Sequence, residues 1–337
     1  MSTDIPIHPS SDESAAADCP AIGFDIGGTN LRAAVVSADG QVLYRVQTSS
    51  DGSVDAIERG IVQTSERLVE RFPDVSAIGL AVAGFLDSDR QTVRFAPHLP
   101  WRDANVVKRL SLLLPCPLQL EHDANSAAWG EYRFGAARGA DNWVLFALGT
   151  GIGGAMMQGG EIYRGAYGTA PEFGHLTVVP DGRPCSCGKR GCLERYCSGT
   201  ALVTTAQELS ESGRYFSRLT DGLVAGSVTG TDVVSAARQG DALALAAIDD
   251  FATWLGRGLS MVGDVFDPEL IVIGGGVASA SDLYLDKAKA EFARNLTGAG
   301  YRPVADVRVA ELGADAGLIG AADIARSVVA AESAASS

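Results

Sequence analysis

The hydrophobic positions along the chain predict two similar groups of short strands. In the first group, apolar runs at 21–26, 31–36 and 42–46 are separated by a Gly-Gly-Thr-Asn sequence and an Ala-Asp-Gly turn, which predicts a three-stranded meander. In the second group, an apolar run at 143–148 enters a glycine turn at 149–154 and continues into two further strands around a Gln-Gly-Gly turn. The repeated order of strand, glycine turn and strand predicts a duplicated α/β unit.

Helices are predicted between and after these strands. Residues 54–71 place apolar side chains at positions 57, 61, 68 and 69, which share one helical face. Further helical patterns cover 106–114, 124–134 and 243–266, a last helix begins near Ala316, and buried strands are predicted at 77–83, 118–121 and 270–273. We expect the last helix to pack back on the first domain.

The domain boundaries follow from these elements. We predict a flexible leader at 1–20, a small α/β domain at 21–123 completed by a C-terminal helix at about 316–327, a large α/β domain at 124–315 that carries a cysteine-rich loop, and a flexible tail at 328–337. The leader has acids where a signal peptide has a basic region, and no apolar core follows them. We therefore expect a cytoplasmic protein.

Composition and charge argue against several classes of function. The 337 residues are 46% hydrophobic and include 40 glycines, which is typical of an α/β protein with glycine-rich loops. The net charge of −14 argues against non-specific binding to nucleic acid or to an anionic membrane surface. No apolar run approaches the roughly 20 residues of a membrane span. Phosphate binding stays open, because backbone N–H groups can do that work.

One histidine and three cysteines have the spacing of a metal site. They follow the pattern H-x9-C-x-C-x4-C and comprise His175, Cys185, Cys187 and Cys192. Four nitrogen and sulfur donors suit a tetrahedral structural zinc ion, and redox thiols are the alternative. The remaining cysteines are expected to be ordinary reduced thiols, namely Cys19, Cys116 and Cys197.

Two glutamates flank this cysteine-rich loop. Glu172 precedes His175 closely, and Glu194 follows Cys192 closely. Their carboxylates can accept hydrogen bonds from neighbouring hydroxyls. The second ring nitrogen of His175 can donate a hydrogen bond while the first binds the metal. Such a set of groups suits a sugar.

The first glycine turn is a candidate phosphate site. Gly27 and Gly28 permit the positive φ angles of an anion-binding nest, the Thr29 hydroxyl can reach a phosphate, and Asp25 at the strand end can hold Mg²⁺ through water. An ordinary hairpin turn is the alternative. The second glycine turn favours phosphate binding, because two such turns, one per domain, can clamp a nucleotide between them.

The second glycine turn also matches a dinucleotide-binding fingerprint. Gly149, Gly151 and Gly154 satisfy G-x-G-x-x-G after a strand, but the fingerprint needs a helix next. Here the pattern continues into a strand and a hairpin, which argues against a dinucleotide site. The sequence also contains no G-x-x-x-x-G-K-[ST] motif, which excludes a P-loop.

Asp123 lies at the junction of a predicted strand and a predicted helix, beside the predicted hinge. An aspartate at such a junction is often only an N-cap. The alternative is catalytic, because ligands of open α/β sheets bind at the carboxyl ends of strands. An ionised aspartate there can accept a proton from an attacking hydroxyl.

Taken together, these motifs resemble the ROK family of sugar kinases and repressors. The motifs are DIGGTN (25–30), AVAG (81–84), HDAN (122–125), LGTGIGG (148–154), PEFGH (171–175), CSCGKRGCLE (185–194) and IGGG (273–276). The stretches RFAPHLPWRD and LEHDANSAAWGEYRFGAA are most similar to actinobacterial glucokinases. The resemblance covers about 21–326 and implies duplicated ribonuclease-H-like domains, as in actin and hexokinase, with a cleft between them.

The resemblance implies an ATP-dependent glucokinase that transfers the γ-phosphate to the 6-hydroxyl of glucose, with Asp123 as the base. It implies sugar contacts from Gly84, His122, Asp123, Glu172, His175 and Glu194. It implies ATP or phosphate contacts from Asp25, Gly27, Gly28, Thr29, Asn30, Thr150, Gly151, Gly153, Gly154 and Gly275. The implied cofactors are ATP, catalytic Mg²⁺ and structural Zn²⁺, and the implied assembly is a homodimer or homotetramer.

Two histidines depart from the family pattern and leave alternatives open. His122 and His98 stand where the family has or often has asparagine, so the acceptor can be another hexose: mannose, N-acetylglucosamine, N-acetylmannosamine or fructose. Inorganic polyphosphate is an alternative phosphoryl donor, but the polyphosphate-dependent members of the family typically lack the cysteine cluster, which favours ATP here. A sugar-responsive repressor of the same family is the alternative from another class. Only about twenty residues precede the first strand and the chain is acidic, which argues against a helix-turn-helix domain.

Overall fold

The described residues form two units. The structure is a computed structural model that describes residues 18–27, 30–49 and 52–336. The first unit spans Met1–Arg138, Arg164–Ala170 and Asp315–Ser337, as far as these residues are described, and the second spans Gly139–Tyr163 and Pro171–Ala314. Apart from 18–20, the predicted leader lies outside the described residues.

Runs of strands and runs of helices follow one another along the described part of the chain. The strands are β1 (Ala21–Ile26), β2 (Asn30–Val36), β3 (Val42–Ser49), β4 (Ile78–Val82), β5 (Phe85–Leu86), β6 (Val93–Phe95), β7 (Arg102–Ala104), β8 (Leu118–His122), β9 (Trp143–Leu148), β10 (Ile152–Gln158), β11 (Glu161–Ile162), β12 (Leu270–Gly274) and β13 (Asp306–Val309). The helices are α1 (Val54–Arg71), α2 (Val106–Leu110), α3 (Asp123–Phe134), α4 (Gly199–Glu211), α5 (Thr220–Ala225), α6 (Gly230–Arg238), α7 (Ala242–Phe266), α8 (Ser281–Asn295) and α9 (Ala316–Ser336).

The first unit is built on a mixed sheet with the strand order β3-β2-β1-β4-β8. β1, β2 and β3 form an antiparallel meander, whereas β4 and β8 run parallel to β1. The register aligns Ile26 with Val82 and Val82 with His122. Because the parallel strands end at one edge of the sheet, the residues that follow β1, β4 and β8 share this edge.

Helix α1 covers one face of this sheet through an apolar stripe. It begins at Ser53, whose hydroxyl accepts a hydrogen bond from the Ala56 N–H. Its buried residues include Ile57, Ile61 and Leu68, which lie at helical spacing and join the core formed by β1 and β4. The predicted helical face is therefore the one that the structure buries.

The second unit repeats the sheet of the first. Its strand order is β11-β10-β9-β12-β13, again an antiparallel meander followed by parallel strands. Helix α7 packs against α8 and contributes Phe251, Leu255 and Leu259 to the buried core. The corresponding strand orders agree with the predicted duplication of one α/β unit.

The small sheet β5-β6-β7 is an element that the sequence analysis did not predict. Its strands are only two or three residues long, and they pair in antiparallel fashion within 85–104. Runs this short carry too few alternating positions to be recognised from hydrophobic periodicity alone.

The predicted helix at 106–114 is too long. Helix α2 ends at Leu110, and the chain continues through turns in which the Leu113 and Leu114 N–H groups donate to the Leu110 carbonyl. Pro115 disfavours helical backbone at Leu114, which explains the early end. Leu112 consequently lies exposed, at 83% of its full accessibility.

The predicted tail at 328–337 is wrong in its extent. Helix α9 continues to Ser336. The residues from Ser327 onward are rich in alanine and contain no glycine or proline, so nothing in the local sequence ends the helix.

The division into units differs from the predicted boundary at Asp123. The first unit extends to Arg138, because α3 packs along α9. Between these helices the buried Asp323 carboxylate accepts hydrogen bonds from Trp129 Nε1 at 2.7 Å and Arg133 Nε at 3.1 Å. Residues 164–170 also belong to the first unit. Within the described residues, no helix combines the length and apolarity needed to span a bilayer.

Candidate functional site

The turn between β1 and β2 is only partly described. The Gly27 N–H donates to the Asn30 carbonyl at 2.9 Å, which closes the turn. Asp25 lies in β1, and its Oδ2 accepts from Arg32 Nε at 3.2 Å and Arg32 Nη2 at 2.5 Å. The predicted phosphate residues Gly28 and Thr29 lie outside the described residues.

Asp123 is the first residue of α3, and the N-cap position belongs to His122. Its Oδ1 accepts a hydrogen bond from the Ala124 N–H at 2.8 Å and lies 3.2 Å from His122 Nε2. The Asp123 side chain is 43% exposed. A carboxylate that is this exposed remains accessible to a ligand.

A buried glutamate supports this junction. Glu121 Oε1 accepts from the Asn125 amide at 2.9 Å and from the His122 N–H at 3.0 Å. Glu121 Oε2 accepts from Arg164 Nε at 3.0 Å and Nη2 at 2.6 Å, and Arg90 Nε lies 4.0 Å away. This group was not predicted from the sequence. A glutamate between the apolar Leu120 and His122 was the available signal, but its charged partner Arg164 is 43 residues away.

Gly84 follows β4 at the same sheet edge. A Cβ at this position would lie 2.7 Å from the Phe95 carbonyl oxygen and 2.8 Å from the Ala96 side chain. The backbone of Gly84 therefore packs directly on the segment that leads to His98.

The predicted metal ligands converge in the second unit. His175, Cys185, Cys187 and Cys192 offer donor atoms that all lie within 4.8 Å of one another. Cys185 Sγ is 3.6 Å from His175 Nδ1, and Cys187 Sγ is 3.6 Å from Cys192 Sγ. Main-chain hydrogen bonds hold the loop, including Cys185 N–H to the Lys189 carbonyl at 2.9 Å.

These separations fit a tetrahedral zinc ion. With Zn–S distances of about 2.3 Å and Zn–N distances of about 2.0–2.1 Å, tetrahedral angles place two sulfurs about 3.8 Å apart and a sulfur and a nitrogen about 3.6 Å apart. The observed 3.6 Å distances lie close to both values. Three thiols and one imidazole also match the donor set of structural zinc sites.

Glu172 lies beside the side of His175 that faces away from the cysteines. Its Oε2 is 3.9 Å from His175 Nε2, whereas Nδ1 faces Cys185. The two ring nitrogens therefore face different partners, which is the arrangement that a histidine needs to bind a metal with one nitrogen and a ligand with the other. Both side chains are partly exposed, at 38% for Glu172 and 25% for His175.

Glu194 lies between the cysteine cluster and the second glycine turn. Its Oε2 accepts a hydrogen bond from the Ile152 N–H at 3.0 Å. Its Oε1 is 3.9 Å from Cys185 Sγ. This carboxylate is predicted from the sequence to contact a sugar, and its contact with the turn was not predicted.

The second glycine turn joins two antiparallel strands. Thr150 and Gly151 lie between β9 and β10, while Gly153 and Gly154 lie in β10, opposite Ala147 and Phe146. The G-x-G-x-x-G pattern is therefore followed by a strand, which agrees with the argument against a dinucleotide site.

Gly275 lies at the end of β12 and has a φ angle of +80°. A side chain at this position would also collide with the Leu148 carbonyl group. Glycine is needed here because it allows β12 to end close to the backbone of the second glycine turn.

A cavity of about 730 Å³ opens beside this turn. It is lined by residues from the glycine turn, from α4 and α6, and from the segment after β12, including Gly149, Thr150, Gly199, Thr200, Thr229, Thr231, Arg238, Gly276 and Ser279. Its size suits a small organic ligand such as a nucleoside. The α4 and α6 residues were not predicted, because only the helix-capping signals Ser198 and Thr229 are visible in the sequence.

The thiols outside the cluster have ordinary environments. Burial raises the pKa of Cys197, which is fully enclosed, and also that of Cys116. A raised pKa keeps a thiol protonated and unreactive.

Comparison with known proteins places these features in a family. The profile of the ROK family matches residues 21–328. A glucokinase from Streptomyces coelicolor is 40% identical over 309 residues, which cover 90% of this chain and 97% of the relative.

Solved structures share the fold along nearly the whole chain. A ROK family glucokinase from Streptomyces griseus, in complex with glucose and AMPPNP, has a TM-score of 0.80 and 40% identity, covering 91% of this chain and 99% of that one. A ROK hexokinase from Thermus thermophilus has a TM-score of 0.78 and 32% identity, covering 92% and 99%. The predicted actin/hexokinase fold class is confirmed.

Proposed function

The chain belongs to the ROK family, and on this premise we propose that it is an ATP-dependent glucokinase. The observation that carries the proposal is the 40% identity with glucokinases along both units, including the relative that binds glucose and AMPPNP. The reaction is transfer of the γ-phosphoryl group of ATP to the 6-hydroxyl of glucose. Its products are glucose 6-phosphate, ADP and a proton.

Asp123 is proposed as the base. The Ala124 N–H and His122 Nε2 engage Oδ1 and orient the carboxylate. Asp123 would accept the proton of the 6-hydroxyl as its oxygen attacks the γ-phosphorus and the bond to the ADP oxygen breaks. Phosphoryl transfer depends chiefly on such positioning and on charge neutralisation.

The sugar is proposed to bind through its hydroxyls. Glu172 and Glu194 supply acceptors, and His175 Nε2 supplies a donor when Nδ1 binds the metal. Gly84 and His122 complete the proposed set of sugar contacts. His122 already contacts Asp123, so any change at His122 should affect both sugar binding and the orientation of the base.

The nucleotide is proposed to use the glycine turns and the cavity beside Gly149. Backbone N–H groups of Thr150 and Gly151 suit phosphate oxygens, and Gly275 lets the end of β12 pack closely beside this turn. Gly153 and Gly154 extend this turn, and Gly27, Gly28, Thr29 and Asn30 are the phosphate contacts proposed from the sequence of the first unit. The Asp25 carboxylate provides oxygen, the ligand type that Mg²⁺ prefers, and would hold the ion that accompanies ATP.

Zinc is proposed as a structural ion held by His175, Cys185, Cys187 and Cys192. A zinc ion with four protein ligands has no open position for substrate and serves to shape its loop. Here that loop carries His175 at its start, and Glu194 lies two residues after the last cysteine, Cys192. A homodimer or homotetramer is proposed for the assembly, which light scattering after size exclusion measures directly.

The proposal is tested by coupled ADP release with Mg-ATP. Glucose, mannose, fructose, N-acetylglucosamine and N-acetylmannosamine are compared with a blank that lacks sugar. We expect kcat/KM for glucose to exceed the others, which would also show that His98 and His122 preserve glucose preference. A higher kcat/KM for another hexose would keep the assignment as a sugar kinase and would attribute the different sugar preference to those histidines. Absence of sugar-dependent turnover in zinc-replete protein would refute the proposal.

A further inference from the structure

We propose that Glu194 is a positioning residue for the nucleotide as well as a sugar ligand. Its carboxylate holds the second glycine turn in the conformation that receives ATP phosphates. This inference rests on the proposed function, since it adds a second task to a residue of the same site. The contacts that carry it lie entirely in the second unit.

The first observation is the hydrogen bond from the turn to the carboxylate. Ile152 N–H donates to Glu194 Oε2 at 3.0 Å, across 42 residues of sequence. A hydrogen bond to an ionised carboxylate is stronger than one between neutral groups. The Ile152 N–H is thereby used, so phosphate oxygens must be received by the other N–H groups of the turn.

The second observation is the absence of space beside Gly151. Glu194 Oε2 occupies the place that a Cβ on Gly151 would take. The turn therefore closes directly on the carboxylate, and a residue larger than glycine at position 151 would displace Glu194. The glycine and the glutamate are fitted to each other.

The third observation is that the backbone around Glu194 is itself held in place. Leu193 is fully buried, and its N–H donates to the Leu176 carbonyl at 2.8 Å. Cys192, a cluster residue, comes directly before it. The position of the carboxylate is thus set by the cysteine-rich loop.

The same segment holds the turn a second time a few residues later. The Gly199 N–H donates to the Gly149 carbonyl at 2.8 Å, and the Thr200 hydroxyl donates to the Thr150 carbonyl at 2.8 Å. The run from Cys192 to Thr200 therefore holds both sides of the turn. Gly149 and Thr150 also line the 730 Å³ cavity, which connects this support to the proposed nucleotide site.

The role is tested by nucleotide binding without sugar. Isothermal titration calorimetry measures the Kd of Mg-AMPPNP for wild type, Glu194→Ala, Glu194→Gln and Glu172→Ala. We expect Glu194→Ala to weaken binding by about tenfold, the effect of losing one hydrogen bond to a charged group. Glutamine keeps an oxygen acceptor for the Ile152 N–H, so Glu194→Gln should bind within about threefold of wild type.

Glu172→Ala is the matched control. Glu172 is also a proposed sugar contact, but its carboxylate lies beside His175, whereas the Ile152 N–H donates to Glu194. It should lose glucose affinity and keep nucleotide affinity. Zinc content and melting temperature are measured for every variant, so that a misfolded protein is recognised.

The outcomes separate this inference from the proposed function. Equal nucleotide affinity in wild type and Glu194→Ala would overturn the positioning role while leaving the kinase intact. An equal loss of nucleotide affinity in Glu172→Ala would also overturn the positioning role, since the effect would then not be specific to Glu194. If the wild-type protein neither binds nucleotide nor phosphorylates any of the sugars, the proposed function fails, and this inference fails with it.

Discussion

At the scale of single residues, the surroundings of Asp123 and Glu121 differ sharply although the two carboxylates are close in sequence. Asp123 is partly exposed and has two donors near Oδ1. Glu121 is 2% exposed and has its charge met by Arg164. Burial with a charged partner suits a structural group, whereas partial exposure suits a group that must exchange a proton.

Replacement of Asp123 by asparagine should remove the base and keep the shape. We expect Asp123→Asn to lower kcat by about 10²–10⁴-fold, the usual contribution of general-base catalysis. Glucose affinity, measured by calorimetry, should change much less, because the wall formed by Glu172 and His175 is untouched. A variant that kept more than a tenth of the wild-type kcat would contradict the assignment.

Replacement of Arg164 should lower the free energy of unfolding, because the buried Glu121 carboxylate would lose its nearest cation. Arg164→Ala leaves this carboxylate with its hydrogen bonds from Asn125 and the His122 N–H, and with the more distant Arg90, at 4.0 Å, as its cation. We expect a loss of about 3–5 kcal/mol in the free energy of unfolding. Urea denaturation measures the change. The double variant Arg164→Ala with Glu121→Gln should recover part of it, because the uncompensated charge is gone. A double variant as unstable as the single one would argue against the charge as the cause.

At the scale of elements, the start of α7 shows how a buried cap sets a helix. Asp241 accepts hydrogen bonds from the Ala244 N–H at 3.1 Å and the Ser217 hydroxyl at 2.9 Å, and it is 8% exposed. Burial raises the pKa of Asp241, but these hydrogen bonds and one from the Arg218 N–H outweigh it. The net pKa lies below the usual value of an aspartate.

Loss of this cap should have a defined pH dependence. Asp241→Ala is expected to destabilise the protein by about 1–2 kcal/mol at pH 7, as for other N-caps. Because the pKa is lowered on folding, the ionised carboxylate stabilises the protein above its unfolded pKa. This contribution is lost as the pH falls through the lower folded value, so the gap between wild type and variant should shrink below about pH 4. A gap that is constant from pH 7 to pH 3.5 would contradict the linkage.

The cysteine-rich loop is an element whose shape depends on its proposed ion. We expect Cys187→Ser to lose zinc, measured by mass spectrometry of the metal, and to lose most of its glucose affinity. Cys116→Ser is the matched control, since Cys116 lies in the first unit and outside the cluster. Full zinc content in Cys187→Ser would refute the ligand set.

At the scale of the whole molecule, two units repeat one sheet order, and the chain carries a net charge of −14. This charge opposes contact with the phosphate backbone of DNA. We expect no binding to duplex DNA in fluorescence anisotropy at about 150 mM salt, with or without glucose. Glucose-dependent binding would favour the sugar-responsive regulator over the kinase.

Much of the fold and part of the site could be predicted because they depend on residues close in sequence. The strands β1 and β9, the helix α1 and the four metal ligands carry local signals of periodicity or spacing. The end of α2 and the length of α9 were mispredicted, because helix ends depend on weak local preferences.

Short-range patterns and spacings in the sequence are enough to establish the α/β class, the duplication, the family and the cluster of His175 with three cysteines. The tertiary fold is needed to find the distant partners of Glu121 and Glu194, which lie 43 and 42 residues away, and the residues that line the cavity. A carboxylate in a strand looks alike in sequence whether its partner is water, an arginine or a backbone N–H. Which of these partners the carboxylate contacts depends on how segments far apart in sequence pack together. The residues next to the carboxylate in sequence do not specify that packing.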